Sequence, residues 1–172
     1  MTQEPYDQKT LPTSSEELLN TLKYLKINGK IYNHDPIFTV EEGVHLKAEI
    51  PGMHCRNLFL KDKKGKMFLI TAANETQIDL KALQQKLDCG RLSFGKKEIL
   101  YQYLGIYPGA VNPFCAINDK DNAVQILLDQ KMMNADSICV HPMDNAMTIA
   151  IKPSDLLDFF VYTGHKAEIL EF

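Results

Sequence analysis

The chain has 172 residues, of which 45% are hydrophobic and 24% charged, values that are ordinary for a globular protein. Its 19 Lys and Arg against 22 Asp and Glu give a formal net charge of −3, which argues against binding long nucleic acid through overall charge. No run of about 18 apolar residues occurs, so no membrane-spanning helix is expected. The length predicts one domain over residues 14–172, preceded by a flexible leader over residues 1–13.

The amino terminus and the cysteines indicate the compartment. The first seven residues lack the basic and then apolar layout of a secretory signal. The four cysteines lie far apart and form no Cys-x-x-Cys pair, a pattern typical of reduced thiols in a cytosolic protein. We therefore expect a cytoplasmic protein with buried structural cysteines.

Two pairs with capping-box spacing predict helix starts in the first third of the chain. Ser14 and Glu17 begin a helix that should end at Asn28-Gly29. Thr39 and Glu42 repeat the spacing, which predicts a second helix through about residue 48.

A β-hairpin is predicted in the middle, with strands over 56–61 and 66–72 around a turn at 62–65. The apolar run 124–128 fits a strand, although a helix is equally compatible with it. The other predicted elements are strands over 31–34, 92–94, 114–117, 137–141, 146–151 and 166–170, and helices over 79–87, 96–104 and 153–163. Helices and strands interleave irregularly, which predicts a mixed α/β (α+β) domain: a curved central mixed sheet with flanking helices.

Motifs for common chemistries are missing or incomplete. The chain has no Gly-x-Ser-x-Gly elbow, no phosphate loop and no dinucleotide fingerprint. Cys139 and His141, two residues apart on a strand, could converge on one site. No third or fourth ligand has zinc-type spacing, so neither a metal nor another cofactor is expected.

Three further features each allow a structural and a functional interpretation. The segment 105–110 contains glycines and a proline, as in a helix stop followed by a turn. It could also expose backbone N–H groups of Gly109 and Ala110 into a pocket, as an oxyanion site requires. His141-Pro142 is typical of a strand end, but the histidine could also serve a site. The lysines of the hairpin are typical of a solvated tip, but they could contact phosphates.

Taken in order, short motifs along the chain resemble the YbaK / prolyl-tRNA synthetase-associated domain family, and most closely its freestanding alanyl-tRNA(Pro) deacylases. The resemblance covers residues 14–172. The motifs that carry it are Asn57-Leu58-Phe59-Leu60-Lys61-Asp62-Lys63-Lys64-Gly65, Arg91-Leu92-Ser93-Phe94-Gly95, Leu104-Gly105, Pro108-Gly109-Ala110-Val111, Pro113-Phe114, Asn118-Asp119, His141-Pro142, Asn145, Thr148 and Gly164-His165.

The resemblance implies specific roles for residues of this chain. Arg56 would hold the RNA end, and His141 would shape the amino-acid pocket. The catalytic candidates are Arg56, Gly109, Ala110 and His141. The substrate-binding candidates are Asn57, Gly105, Pro108, Val111, Asn145 and Thr148. The candidates for further contacts with tRNA are Lys61, Lys63 and Lys64.

One residue departs from the family pattern, because the family usually has lysine where this chain has Arg56. Arginine keeps the positive charge but is larger and planar. Binding of the RNA end should therefore survive, whereas the larger side chain should affect the pocket size and the rate.

The expected function is hydrolysis of alanine wrongly attached to tRNA(Pro), carried out in trans because no synthetase body is present. The partners implied are the tRNA(Pro) acceptor end and prolyl-tRNA synthetase; neither DNA nor a membrane is expected to bind. One alternative is a non-catalytic module that binds tRNA ends or a synthetase surface. Another is a protein that hydrolyses or binds small aminoacyl metabolites without RNA.

Overall fold

The computed structural model describes residues 7–172. The helices are α1 (Ser15–Tyr24), α2 (Leu46–Glu49), α3 (Leu80–Lys86), α4 (Lys97–Leu104), α5 (Gln130–Met133) and α6 (Pro153–Thr163). The strands are β1 (Lys30–Asn33), β2 (Met53–Asp62), β3 (Met67–Ala73), β4 (Leu92–Phe94), β5 (Val124–Asp129), β6 (Ile138–Val140), β7 (Met147–Ile151) and β8 (Ala167–Leu170). Segments of 3-10 helix cover Gln8–Thr10 and Pro113–Asn118.

All these strands join in one sheet with the order β1-β7-β6-β2-β3-β5-β8, and β4 also pairs with β2. The pairs β2–β6, β3–β5 and β5–β8 are parallel. The pairs β1–β7, β2–β3, β2–β4 and β6–β7 are antiparallel. The predicted mixed sheet within an α/β domain is confirmed, as is the strand interpretation of residues 124–128.

Helices cover both faces of the central strand β3, all of whose residues are buried. On one face, Leu69 of β3 shares a core cluster with Leu18 of α1 and Phe159 of α6. On the other face, Phe68 shares a second cluster with Leu83 of α3. A strand buried on both faces reads as a continuous apolar run, which is why residues 67–73 show little polar alternation.

The four strands at the β1 end of the sheet differ, because only one of their faces joins the main core, through residues such as Val140 and Ile149. On the opposite face, Lys30 of β1 pairs with Ala150, Ala150 with Cys139, and Cys139 with His54. Paired residues project from the same face of a sheet. This second face carries the polar side chains of the site described below.

The segment between β1 and β2 packs over that second face. Ile37, Leu46 and Ile50 form a small apolar cluster with Cys139. The predicted helix from Thr39 to residue 48 is wrong for most of its length, because residues 40–45 form turns and only α2 is helical. The Glu42 N–H still donates to the Thr39 hydroxyl at 3.2 Å, so the capping-type contact exists without the helix.

Two other predictions about local structure are wrong. Residues 114–117 are not a strand but part of a 3-10 helix, which begins at Pro113 and is stabilised by a hydrogen bond from the Cys115 N–H to the Asn112 carbonyl. A proline at the first position favours such a helix start. The single turn of α5, capped by the Asp129 side chain, was not predicted.

The amino-terminal helix is confirmed, with reciprocal capping between Ser14 and Glu17. Residues 1–6 of the predicted leader lie outside the described residues. Residues 7–13 are not loose, because Leu11 is buried in the main core and the Gln8 side chain donates to the Met143 carbonyl at 2.9 Å. This part of the predicted leader therefore belongs to the packed domain.

Candidate active site

A pocket of about 210 Å³ opens where β2 changes its neighbour in the sheet. The start of β2, Met53 and His54, pairs with β6, whereas the end, Leu60–Asp62, pairs with β4. Between these two paired stretches, Cys55, Arg56 and Asn57 line the pocket. The lining residues are Ile37, Phe38, Thr39, Val40, Gly43, Leu46, His54, Cys55, Arg56, Asn57, Asn74, Gly109, Val111, Cys139, His141 and Thr148.

The structure brings six of the predicted site residues to this pocket. From the catalytic candidates it places Arg56, Gly109 and His141 there, and from the substrate-binding candidates Asn57, Val111 and Thr148. They come from three parts of the chain that are far apart in sequence: β2, the 108–111 loop and the stretch 141–148, which runs from the end of β6 into β7. Arg56, two residues of the 108–111 loop and His141 thus line one pocket.

Four other candidates do not line the pocket. Ala110 and Asn145 are buried, Pro108 is exposed, and Gly105 ends α4 against Pro12. Asn145 is nevertheless close to the pocket wall, since it exchanges two hydrogen bonds of 3.0 Å with the backbone of Ile37. Asn145 therefore supports a residue of the pocket wall and does not itself face the pocket.

The loop that carries Gly109 is a tight turn from Tyr107 to Ala110, closed by a 3.2 Å hydrogen bond between their backbones. Pro108 and Gly109 occupy the central positions, and Gly109 has φ of +88°. Proline followed by a residue with positive φ is typical of a type II turn. The Ala110 N–H is consumed in closing the turn, so of the two N–H groups predicted for an oxyanion site only that of Gly109 remains a candidate.

Arg56 is held by the loop that follows β3. Its Nη2 donates to the Thr76 carbonyl at 2.6 Å, while its Nε is buried without a partner among residues 7–172. The Thr76 hydroxyl in turn donates to the buried Asp129 carboxylate, which also accepts from the Ala73 N–H at 3.1 Å. The guanidinium therefore has a fixed position at the pocket wall.

His141 is a neutral imidazole that accepts through one nitrogen. Burial lowers its pKa, with the neighbouring His34 adding to the effect and a hydrogen bond to the Met147 carbonyl opposing it. That bond, 2.7 Å long, requires a proton on Nδ1 and leaves the Nε2 lone pair as an acceptor. His34 lies beside it, with ring centroids 5.9 Å apart, and its Nε2 is 2.8 Å from the Thr148 hydroxyl.

The thiol at the pocket is unsuited to nucleophilic attack. Cys139 lines the pocket together with His141, as their spacing suggested, but burial raises the Cys139 pKa to about 11. Burial also raises the pKa of Cys55, the other thiol in the lining. Both are therefore protonated near neutral pH, and a protonated thiol is a poor nucleophile.

Much of the wall was not predicted from the sequence. The sequence pattern assigned no role in the site to His54, Asn74 or the segment 37–46, although His54, Asn74 and six residues of that segment contribute to the lining. The segment 37–46 showed only the capping-box spacing, which suggested a helix. Asn74 follows β3 at a turn, where an Asn is usually a turn former and carries no signal of its own.

Neither a metal site nor a carboxylate is found in the described structure at this pocket. The lining residues include no Asp or Glu. No group of three or more His, Cys, Asp or Glu side chains in residues 7–172 is placed to hold a metal ion. Likewise, no helix within 7–172 combines the length and apolar character needed to cross a membrane.

Comparison with known proteins shows the family. Residues 34–159 match the aminoacyl-tRNA editing domain, a stretch that contains every lining residue of the pocket. The chain belongs to this family of editing domains. The predicted resemblance is thereby confirmed.

Two curated relatives match this editing domain over nearly its whole length. The prolyl-tRNA editing protein ProX of Acetoanaerobium sticklandii is 33% identical over 159 residues, covering 92% of this chain and 97% of the relative. The prolyl-tRNA synthetase associated domain-containing protein 1 of Danio rerio is 33% identical over 159 residues, covering 91% and 86% respectively.

A solved structure shares the fold of the editing domain. A crystal structure provisionally described as a trans-editing enzyme for prolyl-tRNA synthetase superposes with a TM-score of 0.69 at 16% identity. The match covers 92% of this chain and 96% of the other. At this identity the likeness supports the architecture, including the mixed sheet.

The predicted lysines lie away from the pocket of the editing domain. Lys63 and Lys64 are exposed at the hairpin turn, and Lys61 is at the end of β2 that pairs with β4. From Arg56 to Asp62 the extended strand runs about 20 Å. Contact between these lysines and tRNA stays a prediction, and it would have to involve RNA well outside the pocket.

Two motifs of the resemblance are explained by packing. Asp119 and His165 are both buried, with Nε2 3.0 Å from the carboxylate. The same carboxylate accepts from the N–H groups of Ala123 and Val124. The pair thus joins the segment before β5 to the segment before β8.

Proposed function

We propose that this protein is a trans-editing aminoacyl-tRNA hydrolase that removes wrongly attached alanine from tRNA(Pro). The observation that carries the proposal is the small pocket between Arg56, Gly109 and His141 within an aminoacyl-tRNA editing domain. The relative named as a prolyl-tRNA editing protein supports the choice of tRNA. The predicted partners are the tRNA(Pro) acceptor end and prolyl-tRNA synthetase.

Size is the physical reason for such an enzyme. Alanine is smaller than proline, so a synthetase pocket built for proline cannot exclude it sterically. A difference of a methylene contributes only about 1–3 kcal/mol to discrimination, which leaves frequent errors. A second hydrolytic pocket that is too small for proline corrects the errors by size exclusion. The apolar side chains of Phe38, Leu46 and Val111 supply a wall for such exclusion.

The chemistry requires little from side chains. Water adds to the carbonyl carbon of the ester, and the tetrahedral intermediate expels the ribose oxygen, which takes up a proton; alanine and uncharged tRNA are the products. The Gly109 N–H is the backbone donor proposed to stabilise the oxyanion. Since no carboxylate lines the pocket, we assign the activation of water to the vicinal ribose hydroxyl of the substrate. Arg56 would fix the RNA end so that the ester is held in attack geometry.

The test is a deacylation panel of alanyl-, cysteinyl-, seryl- and prolyl-tRNA(Pro) with the purified protein. We expect rapid release of alanine and retention of proline.

Arg56→Ala should reduce both tRNA binding and turnover, whereas His141→Ala should mainly relax the choice of amino acid. Hydrolysis of none of the four esters would reject the enzyme, and tRNA binding without hydrolysis would instead identify a non-catalytic binding module.

A further inference from the structure

The pocket contains two buried polar atoms that have no hydrogen-bond partner among residues 7–172. They are the acceptor Asn74 Oδ1 and the donor Arg56 Nε. Buried polar atoms in folded proteins are paired with few exceptions. A third unpaired atom, Asn112 Oδ1, belongs to a residue outside the pocket lining. Two unpaired atoms of opposite polarity at one cavity indicate positions that a ligand fills.

Both residues are tied to neighbouring segments through other atoms, Arg56 through its guanidinium and Asn74 through its backbone. The Asn74 backbone N–H donates to the His54 carbonyl at 2.9 Å, which ties the residue to the start of β2. Arg56 is tied to Thr76 by the 2.6 Å bond from Nη2. The anchors hold the free acceptor and the free donor at one wall.

An aminoacyl ester has the complementary groups. Its α-ammonium carries three N–H donors, and its carbonyl and ester oxygens are acceptors three bonds away from the nitrogen. An α-amino group has a pKa near 7.7–8.0 and is largely charged at neutral pH. A carboxylate would be its usual partner, but none lines this pocket, so a neutral oxygen must accept from it.

We propose that Asn74 Oδ1 accepts a hydrogen bond from the α-ammonium of the bound aminoacyl group while Arg56 Nε donates to an oxygen of the same ester. The proposal rests on the proposed function, and it adds a contact by which the pocket prefers amino esters to simple acyl esters. Asn74 is thus assigned as a substrate-binding residue that makes the pocket respond to the amino group as well as to side-chain size.

The test compares alanyl-tRNA(Pro) with propionyl-tRNA(Pro), which keeps the methyl group and the ester but has hydrogen in place of the amino group. Each kcat/KM is divided by the spontaneous hydrolysis rate of that ester, since the ammonium itself activates the carbonyl. A hydrogen bond to a charged group should give the wild-type protein a preference for alanyl-tRNA of about 10- to 100-fold. Asn74→Ala should abolish this preference.

The preference is a ratio, so partial unfolding of a variant lowers both rates and leaves it unchanged. Asn74→Ser, which keeps a turn-forming residue but is too short to reach the ammonium, should behave like Asn74→Ala. Asn112→Ala is the matched control, and it should keep the wild-type preference whatever its rate. If wild type cleaves alanyl-tRNA and the Asn74 variants keep the preference, the role assigned to Asn74 is wrong and the proposed function stands. If wild type cleaves neither ester, the proposed function fails with it.

Discussion

Replacing Gly109 by alanine should disturb the pocket through two effects that can be separated. The residue has φ of +88°, a region that costs an L-residue roughly 1–2 kcal/mol. The added Cβ would also lie 2.9 Å from Cδ1 of Phe38, which lines the pocket. Overpacking of this kind typically costs about 1–3 kcal/mol. Lower entropy of the unfolded chain offsets about 0.4–1 kcal/mol, so the net loss of stability should be about 2–4 kcal/mol.

Gly65 provides a control for the first effect alone. It has φ of +93° at the hairpin turn, and a Cβ built on it meets no atom within 4 Å. Gly65→Ala should therefore cost only the backbone strain, about 1 kcal/mol after the same offset. The difference between the two variants isolates the contact with Phe38.

The measurements are urea unfolding of both variants and deacylation of alanyl-tRNA(Pro). Because Phe38 must move to accept the new methyl group, Gly109→Ala should lower kcat/KM by about 10- to 100-fold, in line with the sensitivity of catalysis to small displacements. Gly65→Ala should retain the wild-type rate. Equal losses of unfolding free energy in the two variants, with no loss of activity in either, would refute the assigned packing of the loop.

Three other variants test the electrostatics of the site and the fold. Burial lowers the folded-state pKa of His141 below its ordinary 6.5, so the unfolded chain binds the proton first and stability falls as the pH drops below about 6.5. His141→Gln should flatten this pH dependence of the unfolding free energy, measured by urea unfolding at several pH values. An unchanged slope would contradict a buried neutral imidazole. Cys139→Ala should keep deacylation within about threefold, because a thiol with a pKa of about 11 is not the nucleophile; complete loss with intact folding would reverse that conclusion. Asp119→Ala should lower the unfolding free energy by about 3–5 kcal/mol, because it leaves His165 Nε2 and two backbone N–H groups unpaired in the interior, and thermal unfolding would measure the loss.

The family resemblance named Arg56, Gly109, His141 and Thr148 as site candidates, and the local sequence pattern predicted the elements that carry them. His141 and Thr148 lie at the ends of apolar strands, and Arg56 begins the clearest hairpin of the chain. Gly109 follows a proline at a helix exit, which predicts a turn. For these residues, alternation along a strand or turn chemistry determines which way the side chain faces.

The rest of the site depends on contacts between distant segments. Ile37 bonds to Asn145, 108 residues away, and this contact places the segment 37–46 over the sheet. No local pattern encodes such a contact, and the capping-box spacing at Thr39 favoured a helix that tertiary packing overrides. Asn74 acquires its place only because β3 lies next to β2.

Size exclusion works only if the free energy needed to displace the pocket wall is at least as large as the free energy by which the wall discriminates between side chains. If about 1–3 kcal/mol separates two side chains that differ by a methylene, displacement of the wall must cost at least as much. The pair of hydrogen bonds between Asn145 and Ile37 and the close approach of Phe38 to Gly109 bind the covering segment from both sides. Asn145, predicted as a substrate-binding residue, lies behind the wall, so its effect on selectivity would come through the rigidity of the segment that begins at Ile37.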